Sequence, residues 1–236
     1  MTETPKVVVI TGGLGALGQA VVAACVAAGY RVAIVDQAPP DSPPAKAVSG
    51  RPDILLFAGT DLGNTAATAA AMQATTERFG RIDVLINIAG GFRWQLLGDG
   101  DLATWDWLYG ANLRSAVTAC HAVLPFMKRN AAGRIINIGA GAAAAKSAAG
   151  MGAYAASKAG VHKLTESLAD ELKDVGITVN AILPGVIDTP QNRADMPDAD
   201  FSRWVAPQDI ASIILFLASD KAQALTGALL PVYGRG

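Results

Sequence analysis

Short runs of aliphatic residues recur along the chain, and longer stretches with apolar residues at helical spacing separate most of them. The aliphatic runs are Lys6–Ile10, Arg31–Asp36, Asp53–Ala58, Asp83–Asn87, Ile135–Ile138, Thr178–Leu183 and Ala228–Val232. Each reads as a buried strand. The helical stretches are Gln19–Ala28, Asn64–Phe79, Leu102–Arg129 with a break near Asn112, Tyr154 to about Asp174, and Gln208–Ala218. Gln37–Pro52 holds Pro39, Pro40, Pro43 and Pro44. That is too many prolines for a normal crossover helix, and the stretch reads as an irregular surface loop. Gln191–Trp204 is polar, contains Pro197 and several acids, and reads as a mobile flap. With its base it spans about 188–205. Strand and helix alternate about seven times, which predicts an α/β fold: a doubly wound parallel sheet of about seven strands with helices on both faces. No linker divides the chain, so residues 1–236 read as a single domain.

Composition narrows the class. Hydrophobic residues make up 51% and charged residues 17%, which marks a compact globular protein. Much of the apolar excess is alanine, which suits closely packed helices. The net charge of −1 argues against nucleic acid or an anionic membrane as partner. No apolar run reaches the ~18 residues of a membrane span, and Met1–Lys6 is too short and polar for a signal peptide. Cys25 and Cys120 lie in alanine-rich helical patterns and read as free buried thiols in a reducing cytoplasm. His121 and His162 lie on helices and read as structural, and two histidines leave little room for a metal site.

The candidate chemistry starts at the first strand, which runs directly into Thr11-Gly-Gly-Leu-Gly-Ala-Leu-Gly18 and then a helix. Strand, glycine turn and helix form the setting of a dinucleotide fingerprint in a Rossmann-type sheet. The glycines let backbone approach a pyrophosphate, and the helix start offers free N–H groups. A tight turn without a ligand is the other reading. Asp36 ends the second strand, 18 residues after Gly18. An acid there accepts hydrogen bonds from the adenosine ribose and repels a 2′-phosphate. That predicts NAD(H), with NADP(H) the alternative cofactor; capping a turn is the other role open to Asp36. Ile88-Ala-Gly-Gly91 follows the fourth strand and suits close contact with a ligand, and Phe92–Leu97 is an aromatic loop at the same end. Tyr154 and Lys158, four apart, share one face of a helix. A neighbouring ammonium favours phenolate and lowers the tyrosine pKa from ~10, so the pair could exchange a proton with a carbonyl or alcohol oxygen. Asn112 is an unfavourable residue in an alanine-rich helix, which predicts a buried partner for its amide. Trp94 and Trp204 read either as packing aromatics or as walls of a pocket.

Together these residues resemble the short-chain dehydrogenase/reductase family over nearly the whole chain. Thr11-Gly12 through Gly18 matches its glycine motif, with Ala16 for the usual middle glycine and Gly15 one place earlier. Asp61-Leu62 matches the adenine-contact pair. Asn87-Ile-Ala-Gly90 matches an Asn-Asn-Ala-Gly segment, with Ile88 for the second Asn. Asn112, Tyr154 and Lys158 match members of a catalytic tetrad, and Pro184-Gly185 through Thr189 matches the nicotinamide loop. The resemblance implies a cofactor held by Gly12, Gly15, Leu17, Gly18, Asp36, Asp61, Leu62, Asn87, Ala89, Gly90, Tyr154, Lys158, Pro184, Gly185, Ile187 and Thr189. It implies that Tyr154 supplies a proton, Lys158 binds the nicotinamide ribose and tunes Tyr154, and Asn112 holds a water in a proton relay. It also implies a homo-oligomer, dimer or tetramer, built through the helices that carry Asn112 and Tyr154. The tetrad serine is missing: the turn after the fifth strand is Gly139-Ala140-Gly141, and Ser147 lies in the loop beyond. The absence removes one oxyanion-type donor.

A narrower resemblance, to dihydropteridine reductases, covers that absence. It rests on Gly12–Gly18, Ala89-Gly90-Gly91 with Trp94, Gly139–Ala142, Ala149-Gly150-Met151 and the segment from Leu183 to Trp204. It implies hydride transfer to a small conjugated substrate such as a quinonoid dihydropteridine, with Trp94, Met151 and Trp204 as substrate contacts. Asn112 and the ending Leu225–Val232 look more like ordinary short-chain reductases, which leaves a general alcohol dehydrogenase or ketone reductase as the second reading. A catalytically inactive cofactor-binding regulatory protein is a third.

Overall fold

A computed structural model describes residues 4–235. Residues 1–3 of the Met1–Lys6 segment and Gly236 lie outside the described residues. The strands are β1 (Val7–Thr11), β2 (Arg31–Val35), β3 (Ile54–Phe57), β4 (Val84–Asn87), β5 (Gly133–Ile138), β6 (Ile177–Pro184) and β7 (Leu229–Val232). They form one sheet in the order β3-β2-β1-β4-β5-β6-β7, with every pair parallel. The helices are α1 (Ala16–Ala27), α2 (Pro43–Val48), α3 (Thr65–Phe79), α4 (Leu102–Leu108), α5 (Ser115–Asn130), α6 (Gly152–Leu172), α7 (Pro190–Asp195) and α8 (Pro207–Ala218).

Strand residues alternate between two apolar layers, as the period of two requires. Val8 and Ile10 of β1 pack with Val21 and Val22 of α1 and Ile210 and Ile214 of α8. Val9 joins Met72 of α3, Val123 of α5 and Leu172 of α6 on the other face. Covered on both faces, the strands need apolar residues at every position, which is why they read as unbroken aliphatic runs. Each fully buried Val, Ile or Leu contributes about 1.5–3 kcal/mol. The two layers therefore fix where the strands end, and the carboxyl ends carry the candidate chemistry. The strand order reverses between β1 and β4, which opens a crevice at their carboxyl ends.

The structure corrects several sequence expectations. The proline-rich Gln37–Pro52 stretch is not wholly irregular, because α2 starts on Pro43 and Pro44. A first-turn proline lacks only an N–H that would have no helical partner anyway. α1 begins at Ala16, with Gly15 as its N-cap, so the last three residues of the glycine motif are already helical. The break near Asn112 is a π-helical stretch, Tyr109–Arg114, that joins α4 to α5 without interrupting the rod. The 188–205 segment is more ordered than its polar sequence suggests. Thr189 Oγ1 accepts the Asn192 N–H (3.1 Å) to start α7, Phe201–Arg203 is a 3-10 turn, and a parallel bridge joins Ile187 to Val205 at its base.

Among the described residues no helix is long and apolar enough to cross a membrane, and no group of three His, Cys, Asp or Glu is placed to hold a metal. Cys25 and Cys120 are free and buried. Burial pushes both thiols up to about 12, which keeps them protonated and unreactive.

Candidate active site

The glycines of the first turn do different work. Gly12 has φ +69, and a Cβ there would lie 2.7 Å from the Ala89 nitrogen. A Cβ on Gly18 would strike the Gly12 carbonyl and sit 2.7 Å from Gly13 backbone. Both glycines are needed for packing: the turn against the β4 end, and α1 against the turn. Gly15 is open, with only the Gly12 carbonyl near its Cβ position, at 3.5 Å. It caps α1 without any side-chain hydrogen bond. An exposed helix start with free N–H groups beside an open glycine fits a dinucleotide pyrophosphate. Leu17 and Leu62 are buried in the core, so only their backbone is left for a ligand. Asp61 is exposed and accepts the Gly63 N–H (2.7 Å).

Asp36 is buried at the end of β2 and takes the turn-capping role. One carboxylate oxygen accepts the Leu14 N–H and the other the Ala38 N–H, each at 2.9 Å. This locks the glycine turn to β2. Each oxygen keeps a further lone pair for a ribose hydroxyl.

A buried polar row crosses the carboxyl ends of the central strands. Thr11, Asn87 and Asn137 are in register on β1, β4 and β5. Asn87 donates its amide to Asn137 Oδ1 (2.9 Å), and Asn137 donates to Thr165 Oγ1 of α6 (2.8 Å). Asn87 is buried and held within the protein, so its side chain serves the sheet rather than a ligand. Asn112 has the buried partner expected of it. Its Oδ1 accepts the Gly91 N–H (2.8 Å), and its Nδ2 donates to the Gly91 carbonyl (3.1 Å) and to Ser157 Oγ (2.9 Å). Both amide hydrogens are used, so the water contact implied by the resemblance falls to the remaining lone pair of Oδ1. Gly90 is crowded as well: a Cβ there would meet Asn112 Oδ1 at 2.5 Å and Lys158 Nζ at 3.4 Å.

Tyr154 and Lys158 share one face of α6, but no hydrogen bond joins them. Lys158 donates its ammonium to the Ile138 carbonyl at the end of β5 (2.8 Å). Burial lowers its pKa to about 8. Tyr154 is half-buried, with its ring edge-to-face with Phe92 at 5.0 Å and 82°. Burial raises its pKa to about 12. This reverses the expected direction: in the free protein, loss of water outweighs any help the cation gives to a phenolate.

The turn that lacks the serine is held from behind. His162 Nε2 accepts the Ala140 N–H (3.3 Å), and a Cβ on Gly139 would lie 2.5 Å from that nitrogen. The role of His162 as a structural support is therefore specific. His121 is exposed. Ser147 donates to the Ala142 carbonyl (3.0 Å) and is exposed, so it does not fill the serine position. Trp94 is exposed and donates its indole N–H to the Ala149 carbonyl (3.0 Å), and the Gln95 N–H bonds the Gly150 carbonyl (3.0 Å). The aromatic loop is thereby tied across the residues leading into α6, where Met151 is the N-cap. Trp204 packs on Phe201 (4.7 Å) in the 188–205 segment and makes no ring contact with Trp94. Ile187 accepts the Asn192 side-chain amide (2.8 Å), and the Gly185 N–H bonds the Val232 carbonyl (3.0 Å) after Pro184. Three residues of this rim, Ser157, His162 and Tyr233, gain their place at the site only through their contacts. Two surface hollows, one around Lys173, Gln223 and Thr226 and the other around Thr4, Lys6 and Arg81, share no residue with the rim.

Known proteins resemble this chain over most of its length. Residues 6–200 match the family model described as short chain dehydrogenase. The chain is 36% identical over 242 residues to the (2S)-[(R)-hydroxy(phenyl)methyl]succinyl-CoA dehydrogenase subunit BbsD of Thauera aromatica, covering 97% of this chain and 95% of that one. It is 32% identical over 243 residues to an acetoacetyl-CoA reductase of Allochromatium vinosum, covering 97% of each. Among solved structures it is similar to levodione reductase, with a TM-score of 0.87 and 30% identity over 97% of this chain and 96% of that one.

Two outcomes test the site as built. Gly15→Ala has an allowed backbone (φ −72) and open space. It should leave urea unfolding unchanged while weakening NADH binding roughly tenfold, about 1.4 kcal/mol. Gly18→Ala puts a methyl against backbone and should destabilise the fold by about 1–3 kcal/mol or more; wild-type stability in that variant would contradict the packing role. The second outcome concerns pH. Below about 8 Lys158 is charged in both the folded and unfolded chain, and the burial penalty is fully present. Between about 8 and the ~10.4 of a free lysine, the unfolded chain holds a proton that the folded chain has lost, so stability rises with pH across that window. Lys158→Met should abolish this rise. A wild-type-minus-variant stability difference that does not change with pH would contradict the assignment.

Proposed function

The chain belongs to the short-chain dehydrogenase/reductase family and is an NAD(P)-dependent oxidoreductase of that family; on this premise we propose that it interconverts a ketone and an alcohol on a small molecule, with Tyr154 as proton donor. One observation carries the reading: a half-buried phenol and a buried ammonium on one face of α6, at the rim of the crevice, with Asn112 clamping the Gly91 peptide beside them. A reduced nicotinamide, when bound, supplies the hydride, and the carbonyl becomes an alcohol as its oxygen takes the Tyr154 proton. Burial keeps that phenol protonated in the free protein, and the charge of Lys158 is what must ease its loss of the proton. Lys158 uses one of its three donors on Ile138, which leaves two for ribose hydroxyls and for stabilising charge at Tyr154. Asp36 favours NAD(H), because its charge opposes a 2′-phosphate and the following Gln37-Ala38-Pro39 offers no cation.

A second reading keeps the narrower substrate, a quinonoid dihydropteridine. It is favoured by the hydroxyl-free turn Gly139-Ala140-Gly141 and by the aromatic loop of Phe92 and Trp94 at the start of α6. The relatives named above carry no dihydropteridine name, and their names support the ketone reading.

Steady-state kinetics with acetoacetyl-CoA, simple ketones and a quinonoid dihydropterin separates these readings. Ketone turnover is expected, and turnover confined to the pterin would move the function to the second reading. Tyr154→Phe should fold, bind the cofactor and lose roughly 10²–10⁴-fold in ketone turnover; full activity would remove Tyr154 from the chemistry. kcat/KM should be higher with NADH than with NADPH, and the reverse order would overturn the role given to Asp36.

A further inference from the structure

The residue after β7 brings a phenol to the place where the serine hydroxyl is missing. Gly141 opens the short 3-10 turn Gly141–Ala143 beyond β5. A Cβ built on it would lie 2.6 Å from Cε1 and 3.2 Å from Cζ of Tyr233, and 3.3 Å from the Pro184 carbonyl. The Tyr233 hydroxyl is one bond beyond Cζ. It therefore lies in the same neighbourhood in which a serine at 141 would hold its own hydroxyl. The ring sits where it does because position 141 carries no side chain.

Two further observations tie Tyr233 to the rim. The backbone of Tyr233 is 3.3 Å from the Cβ position of Gly185, and Gly185 is bonded to Val232, so the residue is fixed against the end of β6. The Gly139–Gly141 turn is fixed to α6 through Ala140 and His162, two residues beyond the Ile138 carbonyl that receives Lys158. Tyr233 is 38% exposed, and among the described residues its hydroxyl has no hydrogen-bond partner. A phenol that donates to nothing in the protein can donate to an oxygen that enters the site.

We propose that Tyr233 donates to the substrate oxygen the hydrogen bond that the absent serine would have supplied, so that two tyrosines face the reacting carbonyl: Tyr154 gives the proton and Tyr233 holds the oxygen. This rests on the carbonyl-reducing reading above. Gly141 is then a specificity determinant, because any side chain there displaces the ring.

The test uses the ketone that the wild-type protein reduces fastest. Tyr233→Phe keeps the ring on Gly141 and removes only the hydroxyl. It should lower kcat roughly 10²–10³-fold, the usual loss for one oxyanion donor, with the KM for NADH and the circular dichroism unchanged. Gly141→Ser in the wild type pushes the ring aside and should lower kcat. In a Tyr233→Ala background the same substitution enters vacated space and should raise kcat. Wild-type kcat in Tyr233→Phe, or no rise on adding Gly141→Ser to Tyr233→Ala, would overturn the role of Tyr233 while ketone reduction itself stands. A wild-type protein that reduces no ketone would overturn both the carbonyl-reducing reading and this one.

Discussion

A lysine ammonium removed from water must find an oxygen, and Lys158 finds the Ile138 carbonyl at the end of β5. Leaving a buried hydrogen-bonding group unsatisfied typically costs about 1–3 kcal/mol, and more when the group is charged. This contact, together with its neighbours, therefore decides how α6 sits on the sheet. Tyr154, Lys158, His162 and Thr165 form one stripe along α6, and each meets something at the carboxyl edge. Lys158 holds the end of β5, His162 holds the turn after it, and Thr165 receives Asn137 from inside the sheet. With those three fixed, Tyr154 has one place to be, above the β4 end, where Phe92 meets its ring. Ser157 on the adjacent face receives Asn112, which holds Gly91. The site is thus assembled by polar side chains that satisfy strand-end backbone in an otherwise apolar interior.

The small residues around this edge serve a second purpose, which is to seat the chain's own aromatic rings. Three glycines each give their side-chain space to one ring: Gly91 to Trp107, Gly150 to Trp94 and Gly141 to Tyr233. Small residues alone would leave open space along this edge. In the structure much of that space is already occupied. The Trp94 contact, with its bond to Ala149, ties the loop after β4 to the approach to α6. The rim is shaped by complementary pairs of nothing and a ring, so a single methyl at any of these glycines changes it.

The sheet was legible because strands covered on both faces must be apolar throughout, and the glycine turn was legible because the packing at Gly12 and Gly18 tolerates no other residue. Asn112 announced its buried partner by being a poor helix residue. The short helix at Pro43 was not legible, since prolines that end helices also begin them. The direction of the Tyr154 pKa was not legible, since helical spacing shows that two groups share a face, not how much water each has lost. Tyr233 lies 79 residues from Tyr154 in the chain, beyond the last strand. Only the register of β6 with β7 and the absent Cβ of Gly141 bring it to the turn after β5. Supporting contacts of this kind have no sequence spacing to reveal them.

In the proposed reaction, hydride passes from a nicotinamide to a carbonyl carbon at this edge. The most direct measurement is to incubate the wild-type protein with a ketone panel and NADH deuterated at C4 of the nicotinamide, and to locate the label by mass spectrometry and NMR. The expected product is an alcohol carrying one deuterium at the former carbonyl carbon, transferred from one face of the nicotinamide. Cofactor binding with no labelled alcohol from any ketone would contradict it.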